Sequence, residues 1–498
     1  MVRRADEKVK PVFRTDHVRL QAKYDEAVAG LYGNCRLVHG YGKPVLIEGG
    51  AYPGIWLECG PLESTVFALY EPELAIQSHE VFFRLQHEDG YIPCTVLADR
   101  HLTGQIQMVV PIAATALETA VGTGDRAFLQ RAYRSCVRWD SWLSRYRDTG
   151  GAGLCEAFCE WDTGHDNSPR FRGLPRDCPS GDARRCPEAK GLPYLAPDLS
   201  ASVYGGRKAL SRMAGLLGLP EEAARWEQLA QQTRAAILKH CYDPGTASFY
   251  DVDSSGRFVE ILGDVLTRVL GEGVADQDMF EEIFQRHLLN PQEFWTPYPF
   301  PSISVSDPAF DRALPDNSWG GAAQALTALR APRWMEAYGK FAHLAHLMKQ
   351  WLTALTAAPG FRQQLNPWTG EFSTTEHYSP SMCLMLDFVS RLYGVRLAED
   401  RLEWNCRCPE GAAWSRYGLP TPEGWAELTV DKAAASLRLN GRLLLTVHGE
   451  CRITTDLEGR WLDAIGTHLS ATAVQVIAPE GLRRELKLSP NTVYHQWA

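Results

Sequence analysis

LSRMAGLLGLPEEAARWEQLAQQTRAAI, residues 210–237, reads as two amphipathic helices joined by almost nothing. Leu210, Met213 and Leu217 recur at helical spacing, and Gly218 stands where a C-terminal glycine can take the left-handed turn. Pro220 then suits the first turn of a new helix, where its missing N–H is no loss, and Trp226, Ala230 and Ile237 mark that helix's apolar face. The stretch predicts a helical hairpin with a very short turn.

The same pattern extends on both sides. Residues 125–147 place Leu129, Ala132, Cys136, Trp139 and Leu143 on one face, with Asp125 as a plausible N-cap. Further helical patterns cover about 16–31, Pro332 to about Thr356, and about Ser381 to Tyr393. No fixed short repeat is legible, so a closed toroid of helices is favoured over a repeat array. After Gly394 the period changes. SLRLNGRLLLTV alternates apolar and polar residues about Asn440-Gly441, a strong hairpin signal, and ATAVQVIAP reads as another strand. The predicted organisation is a helical lead-in with a Gly-rich segment at 1–50, a helical barrel at 51–395, and a small antiparallel, sandwich-like β module at 400–498.

Composition narrows the class. With 498 residues, 45% apolar and 22% charged, the chain can bury a large core and more than one domain. The net charge of −9 and the lack of a Lys/Arg block argue against nucleic acid or anionic membrane as partners. The opening MVRRADEKVKPVF lacks the apolar core of a secretory signal, and no run is long enough to span a bilayer, so a soluble cytoplasmic protein is expected. Fifteen tryptophans and eighteen tyrosines suit stacking on flat faces such as sugar rings, as well as core filling. Cys155, Cys159, Cys178 and Cys186 cluster without a common zinc spacing and read as reduced structural thiols.

FCEWDTGHDNSPRF, residues 158–171, fits neither helix nor strand and reads as an irregular loop rich in acids. Asp166 lies between Gly164 and the Ser168-Pro169 corner. Packed among aromatics and other acids it can hold a proton near neutrality; read alone, it serves equally as a turn-capping aspartate.

In order and approximate spacing, GGAYPGIWLECGPLESTVFALYEPELA, HEDGYIPCTVL, the 158–171 loop and LNPWTGEF resemble the mannosylglycerate and glucosylglycerate hydrolases, and more distantly processing α-glucosidases and trehalases. The resemblance runs from about residue 45 to 395. It implies a mainly α fold, an (α/α)6 toroidal barrel, and inverting cleavage of a short α-linked oligosaccharide or sugar conjugate. It implies Asp166 as proton donor and substrate contacts at Trp56, Glu63, Asp162 (at the position of an upstream glutamate), Arg170, Trp319 and Tyr378. Such cleavage needs only a protonated and an ionised carboxyl about 6.5–9.5 Å apart, so no cofactor or catalytic metal is expected.

The departures are chemical. Where the relatives carry Trp-Arg-Gly-Pro-x-Trp, this chain has SWGGAAQAL, keeping Trp319 and Gly321 but placing Gly320 and Gln324 at the arginine and the second tryptophan. Where they carry the catalytic base, this chain has Gln363, and an amide cannot accept the proton. Gln363 is then expected to line the pocket, with Glu376, beside Tyr378, as replacement base; Glu371 and Asp316 are weaker candidates. A phosphorylase-like transfer without a protein base, or a non-catalytic sugar-binding protein, are the alternatives.

Overall fold

The computed structural model describes residues 10–496; the first nine residues of the opening segment lie outside the described residues. The chain folds as two compact units, one comprising 30–334 and 360–383, the other 10–29, 335–359 and 384–496.

The first unit is built of helical hairpins. Pro197–Leu217 ends at Gly218 (φ 80°), and Pro220–His240 folds back against it. Ile112–Thr123 and Arg126–Tyr146 form a second pair, and Gly60–Phe67 with Pro72–Arg84 a third. Asp125 caps the Arg126–Tyr146 helix by accepting from the Phe128 N–H at 2.8 Å. The face foreseen there is inside: Leu129, Ala132, Cys136, Trp139 and Leu143 are all buried, with Trp139 stacked on Trp142 at 5.3 Å. Burying each such ring contributes about 2–3 kcal/mol.

Three small antiparallel sheets carry the loops that matter. Ile55–Trp56 pairs with Thr95–Val96, which pairs with His101–Leu102. Glu156–Ala157 pairs with Tyr194–Leu195 and leads into the 158–171 loop. Ala323–Gln324 pairs with Gln364–Leu365, and that with Phe372–Ser373.

The second unit holds two antiparallel sheets. The larger runs, in spatial order, Val12–Thr15, Trp414–Thr421, Gly424–Asp431, Ala435–Leu439, Arg442–His448, Thr472–Ile477 and Arg483–Leu488. The smaller runs Val395–Leu397, Arg401–Cys406, Cys451–Asp456, Trp461–Ile465 and Val493–His495. Leu439 opposes Arg442, so Asn440-Gly441 is a two-residue turn, with both residues at positive φ (52° and 80°) as a type I′ hairpin requires.

The boundaries differ from the expected 1–50, 51–395 and 400–498. Val12–Thr15 is an edge strand of the C-terminal sheet rather than part of a lead-in. Residues 335–359 and 384–395 also group with the sheets. The charge chemistry shows why: Glu336 is gripped by Arg391 (2.7 Å), Arg452 (2.9 Å) and Arg396 (3.5 Å). Burial pushes that carboxyl up, but the three guanidinium groups outweigh it and hold it well below its usual range. The single helix foreseen from Pro332 to Thr356 is two, Ala325–Met335 and Phe341–Ala357, because Gly339 turns left-handed (φ 69°) between them.

Candidate active site

The 158–171 loop is held from beneath by two buried ion clusters. Asp162 is fully buried and accepts both arms of Arg147, at 2.5 and 3.0 Å, and the N–H groups of Ile106, Phe158 and Cys159. Arg170, equally buried, donates to Asp198 and Asp251 through four contacts of 2.7–3.1 Å. It also donates to His165 Nδ1 at 2.7 Å, so His165 carries its proton on Nε2 and offers it to Asp264 at 3.2 Å. Burial, joined by Arg268 and Arg170, pushes that imidazole down to about 3, which keeps it neutral. These placements correct the sequence reading of Asp162 and Arg170 as sugar contacts. Their hydrogen-bonding capacity is spent inside the protein, on fixing the loop.

Cys159, Asp162 and Cys178 bring their ligand atoms within 4.8 Å of one another. Arg147 Nη2 lies 3.8 Å from Cys178 Sγ, so any cation there would face a buried guanidinium.

Above these anchors the chain turns at Gly164 (φ 65°), where a Cβ would lie 2.2 Å from Glu58 Oε2. Only glycine fits both demands. Asp166 follows, half-buried, its carbonyl accepting from Trp319 N–H at 3.0 Å. Its Oδ2 accepts from Asn317 Nδ2 at 2.9 Å, Asn317 Oδ1 accepts from Gln363 Nε2 at 3.1 Å, and Gln363 Oε1 accepts from the Tyr52 hydroxyl at 2.9 Å. Two hydrogen bonds and the width of one carboxamide therefore keep Gln363 no farther than about 8 Å from the Asp166 carboxylate. Burial raises the Asp166 pKa, against the opposing pull of the Asn317 hydrogen bond and Arg176.

Tyr52 opens onto an acidic wall. Its ring meets Trp56 edge-on at 5.6 Å and Tyr378 at 6.0 Å. Trp56 packs with Cys59, Trp319 and Leu326. Glu48, 6% exposed, has the Tyr378 hydroxyl and the Cys59 thiol against its carboxylate. Glu58, 9% exposed, accepts from Gln107 at 3.2 Å and presses on the acid loop at Gly164. Glu63 is fully buried, and apart from the Cys59 thiol beside it no described group meets its carboxylate oxygens. Burial and mutual repulsion raise all three pKa values, that of Glu63 to about 8. Trp319 is 2% exposed, packed on His165 and under Arg268, so it stiffens the floor more than it presents a face.

Glu376 is not where the sequence put it. Its carboxylate is half-exposed and ion-paired with Arg362. The reason lies in its neighbours: Ala51 N–H donates to Thr375 Oγ1, and Asn34 Nδ2 donates to the His377 carbonyl at 2.9 Å. Those contacts engage the residues on either side and turn Glu376 outward. Asp316 and Glu371 are likewise exposed. The acid the sequence reading passed over is Glu48, whose only local mark is its place before Gly49-Gly50. Tyr52 and Asn317 were missed with it.

Residues 52–381 match the model of the mannosylglycerate hydrolase MGH1-like glycoside hydrolase domain. A mannosylglycerate hydrolase of Rubrobacter radiotolerans is 22% identical over 416 residues, covering 68% of this chain and 91% of its own. The crystal structure of the GH63 mannosylglycerate hydrolase from Thermus thermophilus in complex with glucose superposes with a TM-score of 0.62, at 19% identity, over 74% of this chain and 99% of that one. Neutral trehalase from Saccharomyces cerevisiae shares the fold with a TM-score of 0.53, at 14% identity, over 69% and 73% of the two chains. The family model spans about two thirds of the sequence, and with it the acid loop, the tyrosine–glutamine wall and Glu58 and Glu63: the chain belongs to the MGH1-like glycoside hydrolase family and is a glycoside hydrolase.

Proposed function

We propose that this enzyme hydrolyses a short α-linked sugar conjugate of the mannosylglycerate class with inversion, on a closed (α/α)6 toroid. The observation that carries the proposal is the hydrogen-bonded chain Asp166–Asn317–Gln363–Tyr52, which ties the acid to the position where the relatives carry their base. An entering sugar displaces the Asn317 carboxamide. Losing that hydrogen bond removes support for the ionised form of Asp166, so its pKa rises further and it holds the proton it must give to the leaving oxygen. Gln363 and Tyr52 orient the water. Glu58 abuts the acid's own loop, so Glu48, on the Tyr52 side, is the carboxylate that accepts the water's proton.

Thirteen cysteines, with no disulfide among the described residues, favour a reducing compartment, in keeping with a cytoplasmic enzyme. Among the described residues no helix is long and apolar enough to cross a membrane.

The test is anomer-resolved NMR of the product from α-mannosylglycerate, α-glucosylglycerate and α-linked disaccharides. The β anomer should appear first. Glu48→Gln should abolish turnover, and adding Gln363→Glu to that variant should restore it. First appearance of the α anomer, or a requirement for phosphate, would sink the proposal.

A further inference from the structure

The unit that carries the two large sheets holds a cavity of about 460 Å³, within the roughly 300–1,000 Å³ of small-molecule sites. One wall is a face of the Phe341–Ala357 helix, where Ala342, Ala345 and Lys349 recur at helical spacing. Arg407 and Glu450 enter at one end of the smaller sheet, each next to a member of the cross-strand pair Cys406 and Cys451. Tyr393 supplies the observation that points to a ligand. It is 6% exposed, yet among the described residues its hydroxyl makes no hydrogen bond. Burial pushes its pKa up to about 12, and the ionisable groups it feels, Arg407, Glu450, Glu410 and Cys408, all line the cavity. A buried hydroxyl without a partner is destabilising, and this one opens onto empty space that a partner can fill.

The charges of the lining select among ligands. Lys349 Nζ lies 2.6 Å from Glu410, and Arg407 Nε lies 3.0 Å from Glu450 while its Nη2 donates to the Thr467 carbonyl at 3.0 Å. Burial and Lys349 push the His346 pKa down, towards the neutral ring. Each lysine or arginine of the lining is therefore matched by an acid. A free anion would sit against Glu410 and Glu450, and an ammonium against Lys349 and Arg407. A hydroxyl can donate to one member of each pair and accept from the other, and the pairs stay made.

We propose that this cavity is a second sugar site, built from residues of the sheet-bearing unit alone and taking one or two rings of a neutral carbohydrate. Sugar hydroxyls donate to Glu410 and Glu450 and accept from Lys349, Arg407 and the Tyr393 hydroxyl. The C–H face of the ring rests on Ala342 and Ala345. The site holds sugar without cleaving it, so it depends on neither Asp166 nor the stereochemistry of the reaction.

The experiment is hydrogen-exchange mass spectrometry of the whole enzyme over concentration series of trehalose, maltose and methyl α-D-mannoside, with inorganic phosphate as the anionic comparison. One of the sugars should slow exchange in residues 341–350 and 405–412 with one shared midpoint. Tyr393→Phe should raise that midpoint about three- to tenfold, as loss of one buried hydrogen bond warrants. Lys349→Ala, a surface change, should raise it as well, and both variants should keep the parent's kcat. Protection by a sugar confined to the acid loop overturns this inference and leaves the sugar-cleaving reading standing. Protection of 341–350 and 405–412 by phosphate alone makes the cavity an anion site and overturns it too, as does a midpoint that neither variant moves. Absence of protection anywhere by every sugar overturns it and removes support from the sugar-cleaving reading as well.

Discussion

Asp162→Asn separates an anchor from a sugar contact. The native carboxylate accepts two arms of Arg147 and three backbone N–H groups, all with no solvent exposure. Asparagine keeps the shape but removes the charge, leaving a buried guanidinium uncompensated, a loss of about 3–5 kcal/mol. Roughly 2 cal/mol/K of unfolding entropy per residue, over the roughly 330 residues of the helical unit, turns that into a fall in Tm of about 4–7 °C. Scanning calorimetry measures it, alongside kinetics well below the transition. There KM should stay within about twofold of the parent, since no substrate contact is lost. Removing both charges, as Arg147→Met with Asp162→Leu, should not restore stability, because three N–H groups would remain orphaned at about 1–3 kcal/mol each. An unchanged Tm with a KM raised tenfold would refute the reasoning and return Asp162 to the sugar.

Asp166→Asn should lower the rate about 10²–10⁴-fold on substrates with poor leaving groups and far less on an α-glycosyl fluoride, read by comparing kcat/KM for the two; equal losses would make the residue structural. Glu376→Gln should leave kcat within about twofold, because its carboxylate serves Arg362 at the surface; loss of turnover would contradict the outward placement. Glu63 has a folded pKa of about 8 against 4.5 for the free group, so the folded form holds its proton more tightly. Its contribution is full below about pH 4.5 and lost as pH rises through about 8, so the parent's Tm should fall over that window relative to Glu63→Gln; parallel curves would show that Glu63 is ionised throughout. The Glu48 pKa is raised too, so the acidic limb of the kcat/KM profile should lie above the ordinary carboxylate range. A limb at about 4.5 would point to a different base.

Local chemistry wrote the elements of this protein into its sequence. Asp125 before an apolar stripe, Gly218 and Pro220 about a two-residue link, and Asn440-Gly441 between alternating runs each specify a backbone conformation that neighbouring residues alone select. The acid loop was legible as well, because Gly164, Ser168 and Pro169 bend the chain wherever they occur. What surrounds Asp166 was not. Tyr52 and Gln363 meet across 311 positions and Asp166 and Asn317 across 151, and no periodicity carries such distances. Glu376 looked well placed by its thirteen-residue separation from Gln363, yet contacts from Ala51 and Asn34 decided which way its loop turned. Glu48 looked like an ordinary acid before two glycines until folding removed it from water and set Glu63, Cys59 and Tyr378 around it. Whether a carboxyl keeps its proton depends on its solvent and its neighbours' charges, and both exist only once distant segments have packed together.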